Sequence, residues 1–224
     1  MIKAIIFDFD DTLVKTKECK WDALKETGKR FYNLEISDEH INKFWGQPFD
    51  EMLSGVLMNC DKYVNLKNNY ESVTQEFPMK AFDDAVSVID KLLEKYKIGI
   101  LSSSSKLLLM KDMALLNFPV DKFFYIQTYE NTQEHKPHPE VFSPILTELK
   151  TLGIDKKELI YVGNAVIDLE AAKSAGLKFC AILSEENVED FENIKKIKDL
   201  EEIKLICFNS YTDFQNVLDS ASLV

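Results

Sequence analysis

The stretch IKAIIFDFDDTLV, residues 2–14, joins a short apolar run to three aspartates. The run IKAIIF has no polar alternation, which is typical of a central parallel strand that is covered on both faces. Asp8, Asp10 and Asp11 follow at the carboxyl end of this predicted strand. Ligands of open α/β sheets bind outside the carboxyl ends of the strands, so this position indicates a functional site.

Three carboxylates this close together repel one another and lose hydration beside an apolar strand. A bound cation would offset that cost. In an extended chain, side chains two residues apart point to the same face, so Asp8 and Asp10 share a face that Phe9 does not. This suits two carboxylates with different roles on one substrate, although aspartates also end strands and form turns.

Four further segments predict the rest of the sheet. They are YKIGIL (96–101), ELIYVG (158–163), LKFCAIL (177–183) and EIKLICF (202–208). Helical periodicities separate these segments, and strands that alternate with helices form βαβ units with a mostly parallel sheet. The sequence therefore predicts an α/β fold with a Rossmann-like, doubly wound parallel sheet.

The stretch from Lys15 to Asp84 breaks this alternation. Its apolar residues recur every three or four positions in four successive segments, which predicts helices that each have one apolar face. Four such helices can form a small bundle. The predicted organisation is an α/β core of residues 1–14 and 85–224, with a helical cap of residues 15–84 inserted after the first strand.

Composition limits the class of protein and its partners. A chain of 224 residues with 46% hydrophobic content can bury the core of one domain with an insertion. The net charge of −11 disfavours nucleic acids and anionic membranes as partners. The four cysteines are far apart without CxxC spacing, which favours reduced thiols. No apolar stretch reaches about 18 residues and no export signal is evident, so we expect a cytoplasmic protein.

Polar side chains also lie at later strand ends and loops. Ser102 opens the run SSSS before a predicted helix, where it can help bind an anion or only cap the helix. Lys136 lies in KPHPE, where two prolines stiffen the chain, although surface lysines are common. Asn164 and Asp168 bracket a turn between a strand and a helix.

Together these motifs resemble the haloacid dehalogenase-like hydrolases. The first motif of that family, DxDx[TV], matches Asp8, Asp10 and Thr12. The second, an apolar strand that ends in Ser or Thr, matches Ser102, and the third matches Lys136. Their order and spacing extend the resemblance across nearly the whole chain.

The fourth motif, commonly GDxxxD in the family, matches GNAVID with one change. Asn164 stands where an aspartate more often binds the metal. An amide oxygen can still coordinate Mg²⁺, but without a negative charge we expect weaker binding. Either the protein is an active enzyme with a weaker metal site, or the site binds its ligand without catalysing a reaction. The presence of the other motif residues favours activity.

The helical insertion resembles the family's type 1 cap, and WGQPFDEML, residues 45–53, resembles the cap segment of phosphoglycolate phosphatase-like members. In this family the cap mainly decides the substrate. Gln47 is a candidate substrate contact, although Gly46 and Pro48 can also serve only as helix breakers. Arg30, the single arginine, is the one candidate for a bidentate clamp on a substrate anion, but its flanks also suit a solvated helix.

The resemblance implies a phosphatase that hydrolyses a small phosphate monoester through an aspartyl-phosphate intermediate. Asp8 is then the expected nucleophile, and Asp10 the acid and base that exchanges protons with the leaving group and the water. Ser102 and Lys136 complete the expected catalytic set.

The same resemblance implies how the phosphate and a metal are held. Thr12, the amide of Ser103 and Lys136 are the expected phosphate-binding groups. The implied cofactor is Mg²⁺, and its expected ligands are Asp8, Asp10, Asn164 and Asp168. The implied partner is a small phosphorylated metabolite.

Other functions stay open at this point. Dehalogenases of the family lack the second aspartate, so Asp10 argues for phosphoryl chemistry. Thr12 rather than Val favours a phosphatase over a sugar-phosphate mutase. Two alternatives from other functional classes also stay open. One is a phosphoacceptor module, and the other is a catalytically silent phosphate-binding protein. Neither the substrate nor the oligomeric state follows from the sequence.

Overall fold

The computed structural model of the chain describes residues 2–45, 49–184, 187–195, 206–208 and 214. The chain divides into two compact units. The helical unit comprises Lys15–Lys80, and the α/β unit comprises Met1–Val14 with the described residues from Ala81 onward. No helix among the described residues is long and apolar enough to cross a membrane.

The described part of the α/β unit contains a six-stranded parallel sheet. Its strands are β1 (Ala4–Phe7), β2 (Lys97–Leu101), β3 (Tyr125–Gln127), β4 (Leu159–Gly163), β5 (Lys178–Ile182) and β6 (Ile206–Phe208). The order β3-β2-β1-β4-β5-β6 changes direction at β1, which is the doubly wound arrangement. The predicted fold class is therefore confirmed.

The central strand aligns the ends of its two neighbours. Every residue of β1 is fully buried, as its continuous apolar sequence predicts. Phe7, its last residue, lies beside Ile100 of β2 and Val162 of β4. The residues that follow these three strands therefore emerge together at one edge of the sheet, at the point where the strand order reverses.

The helical unit contains four described helices, which are α1 (Thr16–Tyr32), α2 (Asp38–Asn42), α3 (Phe49–Val56) and α4 (Tyr63–Thr74). Their apolar faces share a core that includes Leu24, Leu53 and Leu66. The unit ends at Lys80, a few residues before the boundary that the helical pattern predicts. Ala81 forms a bridge with Val14, and the amide of Phe82 donates to the carbonyl of Leu13, which ties these residues to the α/β unit.

Five described helices belong to the α/β unit. They are α5 (Ala85–Leu93), α6 (Lys106–Leu115), α7 (Ser143–Thr151), α8 (Val166–Ala175) and α9 (Val188–Lys195). Side chains of α7 and α8, such as Ile145 and Ala171, share a buried cluster with Ile6 and Phe179 on one face of the sheet. Helix α8 is capped at its C-terminal end by Gly176, whose φ of +67° is accessible to glycine at little cost.

Parts of the C-terminal predictions lie outside the described residues. The predicted strand at residues 202–208 is described only as β6. The spacing of Phe214, Val217 and Leu218 also predicts a helix, and the last two of these residues lie outside the described ranges. Phe214 is buried, and its ring meets that of Phe7 edge-on at 5.9 Å. Cys19, Cys60 and Cys180 are free cysteines within the described part of the chain.

Candidate active site

Asp8 directly follows β1, and its amide donates to the carbonyl of Val162 on β4. Its side chain is buried, and Oδ1 lies 2.8 Å from Lys136 Nζ. The hydroxyl of Thr12, four residues later in the same turn, donates to Asp8 Oδ2 at 3.1 Å. The carboxylate is thus held between an ammonium group and a hydroxyl.

Lys136 is the centre of a buried ionic cluster. Its Nζ is 2.8 Å from Asp168 Oδ1, 2.8 Å from Asp8 Oδ1 and 3.1 Å from the Tyr161 hydroxyl. Burial alone would lower the pKa of Lys136, but the Asp168 and Asp8 carboxylates outweigh it and raise that pKa well above its usual range. Lys136 is therefore a permanent cation beside Asp8.

At Asp8, the candidate nucleophile, burial has a larger effect on the pKa than the neighbouring charges have. It raises the pKa of Asp8 to about 7, against the opposing effect of the Lys136 ammonium, and the nearby Asp168 carboxylate adds to the increase. Asp8 is thus more basic than an ordinary surface carboxylate. A more basic oxygen is a better nucleophile, provided that Lys136 or another cation keeps it ionised.

Asp168 is fully engaged by neighbouring donors. Its Oδ1 accepts from Lys136 and the Tyr161 hydroxyl, and its Oδ2 accepts from the amides of Asn164 and Ala165 at 3.2 and 3.0 Å. A carboxylate offers about four acceptor positions, and all are used here. This geometry favours a role in positioning the turn and Lys136 over the predicted role of metal ligand.

Gly163 explains how the turn can approach Asp168 so closely. A Cβ atom at residue 163 would lie 2.6 Å from Asp168 Oδ2, which is far inside van der Waals contact. The glycine of the GNAVID motif is therefore required because any side chain would displace the carboxylate.

Thr12 and Asn164 connect the first and fourth motifs. The Thr12 hydroxyl lies 3.0 Å from Asn164 Oδ1 and 3.1 Å from Asp8 Oδ2, and its side chain is completely buried. It has one proton, so it donates to one of these oxygens at a time. The contacts favour a role in holding these two oxygens together, rather than the predicted contact with phosphate.

Asp10 lies on the more accessible side of the cluster and is only partly buried. Its Oδ2 accepts from the hydroxyls of Ser104 at 2.8 Å and Ser102 at 3.2 Å. The hydroxyl of Ser102 also accepts from the amide of Ser104 at 3.0 Å. The start of the SSSS run therefore faces Asp10.

The remaining serines differ in their contacts. Ser103 is exposed, and its amide has no hydrogen-bond partner within the described residues, which suits the predicted role as a phosphate donor. Ser105 occupies the N-cap position of α6, but its side chain makes no capping hydrogen bond. The Glu130 carboxylate instead accepts from the amide of Lys106, at the first turn of that helix.

The four strand-end motifs thus meet at one edge of the sheet, in the order and geometry of a known family. The sequence matches the profile of the haloacid dehalogenase-like hydrolases over residues 5–182. The chain belongs to this family. Of the predicted residues, Asp8, Thr12, Lys136, Asn164 and Asp168 form one connected cluster, and Asp10 is joined to Ser102.

Individual relatives carry more specific names. A Clostridium perfringens protein described as a candidate PpaX pyrophosphatase is 30% identical over 81% of this chain and 84% of its own length. The pyrophosphatase PpaX of Bacillus velezensis is 27% identical over 81% of this chain and 83% of its own. A Thermotoga maritima structure described as a candidate beta-phosphoglucomutase has a TM-score of 0.78 at 20% identity, covering 98% of this chain and all of that chain, which shows the shared fold.

Members of this hydrolase family generally use a divalent metal. The side chains here suit a hard cation, because Asp8 and Asn164 present oxygen atoms that converge on one hydroxyl. No group of three or more His, Cys, Asp and Glu side chains with metal-binding geometry occurs within the described ranges. Oxygen donors of this kind are typical ligands of a hard divalent cation.

Three residues of this hydrolase site were not predicted from the sequence. Tyr161 contacts Lys136 of the ionic cluster, and Ser104 contacts Asp10. The side chain of Asn187 supports the turn at Asn164. The Asn187 amide donates to the carbonyls of Asn164 and Ile182, at 2.8 and 2.9 Å. A signal existed for Tyr161, since a tyrosine inside a buried strand needs a partner for its hydroxyl. The sequence contains no comparable signal for Asn187, which lies between β5 and α9.

The sequence suggests two candidate substrate contacts in the cap, Gln47 and Arg30. Gln47 lies outside the described residues. The Arg30 guanidinium binds both oxygens of Glu76 and also contacts Glu26, within the helical unit. Because these carboxylates already use its fork of donors, Arg30 is a poor candidate for a substrate clamp.

Proposed function

We propose that the protein is a Mg²⁺-dependent phosphatase that hydrolyses small phosphate esters through an aspartyl-phosphate at Asp8. The observation that carries this proposal is the 2.8 Å contact between Asp8 Oδ1 and the buried ammonium of Lys136. A carboxylate with a permanent cation beside it, at the carboxyl end of a central strand, suits attack on an anionic phosphoryl group. The phosphatase relatives support the same reaction class.

In the first step, an oxygen of Asp8 forms a bond to phosphorus, and the bond from phosphorus to the leaving oxygen breaks. Asp10, entering the step as a neutral acid, gives its proton to that leaving oxygen. Lys136 balances the charge between Asp8 and the phosphoryl group. The amide of Ser103 donates to a phosphoryl oxygen, and the hydroxyl of Ser102 does so after it turns from Asp10 to the substrate.

In the second step, water attacks the phosphorus of the aspartyl-phosphate, and Asp10, now a carboxylate, takes the proton of the water. The bond between phosphorus and the Asp8 oxygen breaks, phosphate leaves, and both aspartates return to their first states. Splitting the displacement into two steps in this way is covalent catalysis.

We assign the metal to the side chains of Asp8 and Asn164 and the backbone carbonyl of Asp10. Bound Mg²⁺ would reduce the repulsion between Asp8 and the phosphoryl oxygens and polarise the phosphoryl group. Asp168 is left out of this set because its oxygens already accept four hydrogen bonds.

Pyrophosphate is a second candidate substrate, and the names of the two PpaX relatives favour it. Its leaving group is phosphate, which needs less help from a proton donor than an alkoxide does. The same residues can therefore perform this reaction, with a smaller contribution from Asp10.

The test is phosphate release from a panel of substrates by the purified protein with Mg²⁺. The panel contains pyrophosphate, phosphoglycolate, sugar phosphates and p-nitrophenyl phosphate. We expect turnover of at least one compound that needs Mg²⁺ and disappears in Asp8→Asn. The absence of turnover with every compound, or turnover that survives Asp8→Asn, would overturn the proposal.

A further inference from the structure

Tyr161 on β4 is a fully buried tyrosine whose hydroxyl lies between Lys136 and Asp168. The hydroxyl oxygen is 3.1 Å from Lys136 Nζ and 2.9 Å from Asp168 Oδ1. An ammonium group can only donate hydrogen bonds, and an ionised carboxylate can only accept them. The Tyr161 hydroxyl therefore accepts from Lys136 and gives its single proton to Asp168.

The ring that carries this hydroxyl is fixed by its neighbours. It meets Phe142 edge-on with the ring centroids 5.0 Å apart, and it lies 5.9 Å from the ring of Phe179. Protein interiors are close-packed, so a ring in this position has little freedom to move. The hydroxyl is consequently a fixed acceptor for Lys136.

Three acceptors match the three protons of the Lys136 ammonium, namely Asp8 Oδ1, Asp168 Oδ1 and the Tyr161 hydroxyl. We propose that Tyr161 is a positioning residue, whose hydroxyl holds the Lys136 ammonium against Asp8 during phosphoryl transfer. This inference rests on the proposed phosphatase function.

The need for such a residue follows from the reaction itself. When Asp8 becomes an aspartyl-phosphate, its attacking oxygen loses most of its negative charge, and its attraction for Lys136 weakens. Asp168 alone would then draw the ammonium to its own side. The neutral Tyr161 hydroxyl does not change during the reaction, so it keeps the ammonium facing the phosphoryl group.

The kinetic test is Tyr161→Phe, which removes the hydroxyl and keeps the ring. We expect kcat to fall about tenfold, as for the loss of a hydrogen bond to a charged group, while KM stays within about twofold. Tyr125→Phe makes the same change on β3, at a ring packed against the same core, and should leave kcat unchanged. A kcat of Tyr161→Phe within about twofold of the wild type would overturn the proposal.

A second measurement does not depend on activity. Nitrogen-15 NMR of the Lys136 side chain reports how fast its ammonium protons exchange with water. We expect faster exchange in Tyr161→Phe than in the wild type and in Tyr125→Phe. Equal exchange in all three proteins would overturn the positioning role.

The two measurements separate this inference from the proposed function. If the wild type hydrolyses no phosphate compound, the phosphatase proposal fails, and the exchange rates alone decide whether Tyr161 orients Lys136. If the wild type is active, both measurements must change in Tyr161→Phe for the inference to stand.

Discussion

Asp8 and Asp10 are two residues apart in one motif, yet their surroundings differ. Asp8 is 5% exposed and contacts a buried ammonium at 2.8 Å. Asp10 is more accessible, and its carboxylate accepts from the hydroxyls of Ser102 and Ser104. Asp8 thus faces a buried ammonium group, whereas the partly buried Asp10 accepts from two serine hydroxyls.

This difference shows how two identical side chains can acquire separate roles. A permanent cation stabilises the ionised form of Asp8, which the proposed nucleophile requires. The hydroxyls of Ser102 and Ser104 hold the Asp10 carboxyl group in place, as a proposed acid and base requires. The environment, rather than the residue type, separates the two proposed functions.

The largest expected effect comes from Asp8→Asn, which replaces the nucleophilic oxygen without changing the size of the side chain. We expect kcat to fall by about 10³-fold or more, because the covalent route is lost. Asp11→Asn is the matched control in the same motif, since Asp11 has a φ of +53° that asparagine also adopts readily. Phosphate release by the two variants checks the comparison, and similar losses in both would contradict it.

Lys136→Met tests the charged surroundings of Asp8. Removing the ammonium leaves Asp8 and Asp168 buried without their cation, which should cost about 3–5 kcal/mol in the free energy of unfolding. Lys122→Met is the control, because Lys122 pairs with Asp90 at the surface and should cost less than about 1 kcal/mol. Urea denaturation measures both values. Equal values for the two variants would argue that the buried pair contributes no more than a surface pair.

Asp10→Asn tests the other side of the comparison. We expect kcat for an alkyl phosphate to fall by about 10²-fold, because the leaving alkoxide is no longer protonated. With p-nitrophenyl phosphate, whose leaving group needs little protonation, the loss in the first step should be smaller. The ratio of the two rates, measured in the same preparation, is the readout. An equal loss for both substrates in single-turnover experiments would exclude Asp10 as the acid.

Asn164→Asp has the smallest expected effect and tests the metal site near Asp8. An added carboxylate should lower the Mg²⁺ concentration for half-maximal activity by about tenfold, since Mg²⁺ binds a charged oxygen more tightly. Mg²⁺ should also raise the melting temperature of this variant more than that of the wild type. An unchanged or higher Mg²⁺ requirement in a titration would count against Asn164 as a ligand.

The sequence identified Asp8, Ser102 and Asn164 because each follows a strand with a clear apolar pattern. Strand β3, which precedes Lys136, was not predicted, and Lys136 was identified from its resemblance to the third family motif. Parallel strands place their carboxyl ends at one edge of a sheet, so the sequence alone groups Asp8, Ser102 and Asn164. Ser104, Tyr161 and Asn187 were not predicted, because their roles depend on which groups lie opposite them in the folded chain. Asp168 and Thr12 were found, but their partners could not be read from their spacing.

The sequence by itself predicted five of the six described strands, the insertion after the first strand and the aspartates at its end, because periodicity and spacing are local properties. It did not predict β3, which has only three residues. Only the tertiary structure decided that Lys136 lies between Asp8 and Asp168 and that Tyr161 completes its hydrogen bonds. These contacts join residues up to 128 positions apart, and no local pattern specifies such a pairing. They form because burying a charged group requires a partner for each of its protons.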